Sequence, residues 1–134
     1  MHPTIRAATP ADIPLVLQFI RDLAAYEKLT PAVTATETAL HHWLFGPRPA
    51  AECLLAQLDD QPAGFAVFFT NFSTFLAQPG LYLEDLFVKP DLRGRGVGKA
   101  LLLHLARLAN TRGCGRLEWS VLDWNQPAIA FYES

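Results

Sequence analysis

The chain has 134 residues, 51% of them hydrophobic and 11% aromatic, which is enough to bury one sizeable core and too few for two ordinary domains. Its 11 basic and 13 acidic side chains give a formal net charge of -2 without a long run of either sign, which argues against wholesale binding to nucleic acid or an anionic membrane. No stretch approaches the roughly 20 apolar residues of a membrane span, and Met1-His2-Pro3-Thr4-Ile5-Arg6 lacks the apolar core of a signal, so a cytoplasmic location is expected.

The chain opens on a short strand over Thr4 to Ala8. In Thr9-Pro10-Ala11-Asp12, Thr9 can cap a helix, Pro10 suits its first turn and Asp12 favours its positive end. Ile13, Leu17, Ile20 and Leu23/Ala24 recur at helical spacing, which predicts a one-sided helix to about Glu27. Thr34-Ala35-Thr36-Glu37 repeats the capping signal and introduces a second, shorter helix with Leu40, Trp43 and Leu44 as its buried stripe, broken by Gly46-Pro47-Arg48-Pro49. Two apolar runs, Cys53 to Leu58 and Gly64 to Thr70, flank Asp59-Asp60-Gln61-Pro62 and predict an antiparallel hairpin. Asn71 to Gly80 is expected to be a partly packed loop, Leu81 to Val88 a strand, Gly98 to Arg112 a helix stopped by Gly113-Cys114-Gly115, and Arg116 to Leu122 another strand. A last helix begins near Asn125. With no repeat or linker, the order indicates one α/β domain over residues 1–134, antiparallel in its first half and crossing over in parallel in its second.

The chemistry is concentrated in Leu86-Phe87-Val88-Lys89-Pro90-Asp91-Leu92-Arg93-Gly94-Arg95-Gly96-Val97-Gly98-Lys99-Ala100, where a buried strand turns through glycines into an apolar helix. Gly94, Gly96 and Gly98 let backbone N–H groups approach a ligand, and the helix start points its unpaired amides and positive dipole end at the same place. Arg93, Arg95 and Lys99 add cations, a combination suited to a pyrophosphate. It is not a Walker loop, because Gly98-Lys99-Ala100 lacks the Ser or Thr that would hold magnesium. The glycine order also differs from the dinucleotide fingerprint G-x-G-x-x-G.

Arg93-Gly94-Arg95-Gly96-Val97-Gly98 matches R-x-x-G-x-G/A, and Tyr82-Leu83-Glu84-Asp85-Leu86-Phe87-Val88 precedes it. In this the chain resembles the GNAT superfamily of N-acetyltransferases. Ile5-Arg6-Ala7-Ala8-Thr9, Leu23-Ala24-Ala25-Tyr26-Glu27 and Trp124-Asn125-Gln126-Pro127-Ala128-Ile129-Ala130-Phe131-Tyr132 make it similar to the diamine (spermidine/spermine) and thialysine branch. The resemblance implies a mixed central sheet flanked by helices, opening between its fourth and fifth strands to admit acetyl-CoA. Past a bulge in the fourth strand, Leu86, Phe87 and Val88 would line the pantetheine arm, with the Val88 N–H facing the thioester carbonyl where negative charge develops. Arg93, Gly94, Arg95, Gly96, Val97, Gly98 and Lys99 would hold the pyrophosphate. Asn125, Gln126, Pro127 and Ala128 would face the reactive end, and Tyr132 would protonate the departing thiolate. Tyr26 and Glu27 would meet the acceptor.

An ammonium with an ordinary pKa of about 10.4 must lose a proton before it attacks a thioester, and Glu84 is the expected base, with Glu84 and Asp85 also binding the acceptor. On a regular strand these neighbours would point to opposite faces, an alternation the bulge can change. Glu118 and Asp123 would add to an acidic cleft. Small polyamines or lysine-like amino acids such as thialysine are the expected acceptors. A protein lysine or amino-terminal amine is the alternative enzyme reading, and a degenerate acetyl-CoA-binding module the alternative class.

No metal is expected. Adjacent His41 and His42 cannot form an i, i+4 ligand pair. Cys53 and Cys114 read as isolated, reduced, structural thiols, and His104 as a tolerated helix-face residue. The resembling family continues beyond the last helix with two further strands. The expectation is therefore a domain truncated at its C-terminal end, by natural truncation, as a fragment or for want of a tail; a genuine 134-residue form is expected to be a homodimer or larger assembly that covers the edge left by the strand over Arg116 to Leu122, or else a poorly soluble species with impaired transfer.

Overall fold

In a computed structural model, which describes residues 2–119, five strands form one sheet in the order of the chain. They are β1 (Thr4–Ala7), β2 (Glu52–Leu58), β3 (Gln61–Ser73), β4 (Gln78–Val88) and β5 (Leu117–Trp119), with α1 (Ile13–Tyr26), α2 (Glu37–Phe45) and α3 (Val97–Thr111) between them. The first three pairings are antiparallel and β4 pairs β5 in parallel, so the sheet is mixed as the sequence implied.

Two cores sandwich the sheet. Leu101, Leu105 and Ala109 of α3, spaced at i, i+4, close over Leu54, Ala66, Phe68, Leu81 and Leu83. On the other face Val16, Phe19 and Leu23 of α1 close over Leu55, Phe65 and Phe87, with Phe19 stacked on Phe65 at 5.4 Å between ring centroids. Each fully buried Leu, Val or Phe contributes about 2 kcal/mol relative to exposure, so α1 and α3 are held by these stripes more than by their intrinsic helicity.

Several boundaries differ from the sequence reading for identifiable reasons. Asn71 to Gly80 is not a loop: β3 runs to Ser73 and β4 begins at Gln78, pairing from Ser73↔Gln78 inward. The ladder continues beyond the Phe69–Tyr82 stack, whose ring centroids are 5.2 Å apart, through Asn71↔Gly80 and Phe72↔Pro79, so cross-strand pairing overrides the weak strand tendency of Asn71, Pro79 and Gly80. The first hairpin turns on Asp59 and Asp60 alone, both at positive φ, and Gln61 and Pro62 belong to β3. Thr36, not Thr34, caps α2, its Oγ1 accepting from the Ala39 N–H at 3.1 Å. Leu40 and Leu44 of that helix pack against the α1 core, but Trp43 is 52% exposed and is not part of a buried stripe. At the entry to α1, Asp12 accepts from the Thr9 N–H at 2.7 Å and is gripped by both terminal nitrogens of Arg6 at 2.7 and 2.8 Å. That fork holds the Asp12 carboxyl well below the usual range.

Candidate active site

The fourth strand determines what faces the cleft. Val67 pairs with Asp85 and Phe68 with Leu83, so Glu84 is an extra residue, a bulge on β4. Before it Leu81 and Leu83 face the α3 core. After it the alternation is reversed, so that Leu86 and Val88 face that core while Phe87 joins the α1 core. Glu84 is thereby left exposed, and Asp85 shares the α1 side of the sheet with Phe87. Among the described residues the β4–β5 pairing runs from Leu81↔Leu117 to Leu83↔Trp119.

Asp85 is half-buried, and burial, followed by the negative charges of Glu84 and Glu27, pushes its carboxyl up to about 6. Glu27 lies at the C-terminal cap of α1, next to Tyr26. The bulge and the end of the first helix thus bring Glu84 and Glu27 each within electrostatic reach of Asp85. Tyr26 is drawn into the same region: its ring carries the Arg93 guanidinium 4.2 Å from the centroid. Arg93 had been expected to serve the anion cradle. In this structure its side chain turns back along the strand, donating from Nε to the Val88 carbonyl at 3.1 Å and lying 5.9 Å from the Phe87 ring.

The glycine turn that follows has the backbone a cradle requires. Gly94 and Gly96 have φ of 78° and 81°, and a Cβ added at either would meet nothing within 4 Å, so their exposed surfaces are open to a ligand. Gly96 is the N-cap of α3 and no side chain caps that end, while Val97 and Gly98 are buried in its first turn and Arg95 and Lys99 are exposed beside it. Open glycines, an uncapped helix start and two exposed cations fit a pyrophosphate. Leu86, Phe87 and Val88 commit their side chains to the two cores, so toward a ligand they offer backbone. Asn125, Gln126, Pro127, Ala128 and Tyr132, with Asp123, lie outside the described residues.

The acetyltransferase (GNAT) family matches residues 18–134. The chain belongs to the GNAT acetyltransferase family. This acetyltransferase is 36% identical to bovine (Bos taurus) thialysine N-epsilon-acetyltransferase, over 97% of its own length and 81% of that protein's. To L-ornithine N5-acetyltransferase NATA1 of Arabidopsis thaliana it is 34% identical, over 99% of its length and 78% of the relative's. Among solved structures, an integron cassette protein from the mobile metagenome of V. cholerae is 30% identical with a TM-score of 0.77, covering 99% of this chain and 83% of that one. Members of the family use acetyl-CoA as co-substrate, which is the kind of ligand the glycine turn of this acetyltransferase fits.

Among the described residues no group of three or more His, Cys, Asp or Glu could hold a metal, and no helix is long and apolar enough to cross a membrane. His41 and His42 lie on the exposed side of α2. Both cysteines are free thiols, and burial pushes Cys53 up to about 12, which leaves it unreactive. The inward turn of Arg93 was missed from sequence, because its stacking partner belongs to a distant helix end that no local pattern connects to the motif.

Proposed function

We propose that this acetyltransferase passes the acetyl group of acetyl-CoA to a primary amine of a small cationic acceptor, a polyamine or a lysine-, thialysine- or ornithine-like amino acid, by direct attack in a ternary complex. The observation that carries the reading is the convergence of Glu27, Glu84 and Asp85 at the β4 bulge, beside the strand end that leads into the glycine turn. Asp85, repelled by both Glu84 and Glu27, gains when a cation enters: at an effective dielectric of about 20, an ammonium roughly 4 Å from a carboxylate gains about 4 kcal/mol before desolvation. The names of the thialysine and ornithine relatives point to the same class of acceptor.

Bound acetyl-CoA supplies an activated thioester. The chain's own work is to hold the pyrophosphate on the backbone of Gly94 to Lys99 and to keep the Val88 N–H at the thioester carbonyl. Glu84 takes a proton from the attacking ammonium directly or through water. Asp85 and Glu27 hold the acceptor's charge, Tyr26 shapes the acceptor side, and the Tyr132 hydroxyl returns a proton to the leaving sulfur. We assign Asn125 to Ala128 to the reactive end of the cofactor on the sequence motif alone. A homodimer and a cytoplasmic location belong to the same reading, the first measurable by light scattering during size exclusion.

Thiol release measured with spermidine, diaminopropane, ornithine, lysine, thialysine and a lysine peptide tests the proposal. Turnover with small diamines or amino acids supports it. Turnover with the peptide alone would assign a protein acceptor, and binding of acetyl-CoA without turnover on any amine would assign a non-catalytic module.

A further inference from the structure

We infer that Arg93 is a positioning residue that clamps the acceptor side of the site to the end of the cofactor strand, rather than a ligand of the pyrophosphate. The inference rests on the proposed acceptor and cofactor sides and deepens that reading. Four observations carry it. The guanidinium carbon lies 4.2 Å from the centroid of Tyr26, inside the range of a cation–π contact. It sits 5.9 Å from the Phe87 ring on the strand that carries Asp85. Its Nε donates to the carbonyl of Val88, the last residue of β4, at 3.1 Å. Tyr26 is the final residue of α1, and its neighbour Glu27 is one of the charges acting on Asp85.

One planar side chain therefore links the last turn of α1 to the end of β4, beside the core packing of α1 on the sheet. It fixes the last turn of α1, with Tyr26 and Glu27, against the strand end whose backbone feeds the glycine turn. Arg suits the task because its flat guanidinium can stack on a ring while its Nε holds a carbonyl; Lys keeps the charge and has neither the plane nor the Nε. The Arg95 and Lys99 side chains, exposed beside the helix start, are left to serve an anion.

Arg93→Lys and Tyr26→Leu, alone and combined, test the clamp, with Tyr26→Phe as the variant that retains the ring. Amide hydrogen exchange gives a readout independent of any amine. Exchange across Leu23 to Leu29 should quicken in Arg93→Lys and Tyr26→Leu and remain as in the parent in Tyr26→Phe, with Ile13 to Leu17 unchanged. Steady-state kinetics should then show the acceptor KM raised about tenfold in either single variant, no further loss in the double variant, and the acetyl-CoA Kd within about threefold of the parent. Unchanged exchange at the end of α1 would overturn the clamp whether or not an acceptor is found. So would an acetyl-CoA Kd that weakens as much as the KM rises, which would make Arg93 a phosphate ligand. Failure of the parent on every amine would instead count against the proposed acceptor class, leaving the exchange result to decide the clamp.

Discussion

Replacing Asp85 with Asn removes a carboxylate that the fold holds at a cost. Burial and the charges of Glu84 and Glu27 raise its pKa from 3.8 to about 6. The folded protein thus prefers the protonated form more than the unfolded chain does. Below pH 3.8 both states carry the proton and the cost is absent; as pH rises from 3.8 toward 6 the unfolded chain ionises first and folding stability falls; above about 6 the full penalty applies. About two pKa units at 1.36 kcal/mol each set an upper bound near 3 kcal/mol. Desolvating the replacement amide takes back part of that, leaving about 1–2 kcal/mol. Asp85→Asn should therefore lie about 1 kcal/mol below the parent near pH 4, where the amide's desolvation has little to offset it, and exceed the parent at pH 8 by roughly 3–8 °C in Tm, while turnover of a cationic acceptor falls. Thermal denaturation across pH 4 to 8 reads this directly. A variant less stable than the parent at pH 8, or a difference independent of pH, would refute the placement of Asp85 among like charges in a half-buried site.

Further outcomes follow from single contacts. Gly96→Val should strain a φ of 81° and obstruct the open face of the turn, weakening the acetyl-CoA Kd by at least about tenfold in calorimetry while disturbing acceptor binding less. Charge reversal of Glu84 to Lys should abolish turnover or raise the acceptor KM steeply and leave acetyl-CoA binding close to the parent, because Glu84 is exposed at the bulge and is not part of the glycine turn. Thr36→Ala removes the α2 cap and should cost about 1 kcal/mol, read as a lower Tm. At pH 8 a thiol reagent should label the half-buried Cys114 first and reach Cys53 only on unfolding; equal rates would contradict the burial of Cys53.

The sequence carried the elements with strong, regular signals. The α3 stripe and its glycine start were legible because Leu101, Leu105 and the glycines each act within a few residues of chain. The β4 bulge was foreseen only through family resemblance, since nothing in Leu83-Glu84-Asp85-Leu86 marks which residue is extra; pairing with Val67 and Phe68 decides that. The extended β3–β4 hairpin was hidden for a similar reason. Its Asn, Pro and Gly read locally as turn formers, and it is pairing with the opposite strand that makes them strand. At the site, the carboxylates were identifiable as residue types, but the raised pKa of Asp85 and the inward turn of Arg93 arise between segments far apart in the chain.

The most direct test of the central claim is CoA release by the purified protein given acetyl-CoA and, separately, spermidine, ornithine, lysine and thialysine. The account predicts release that requires one or more of these small amines and is lost in Glu84→Lys while acetyl-CoA still binds. Tight binding of acetyl-CoA with no release on any small amine would contradict it.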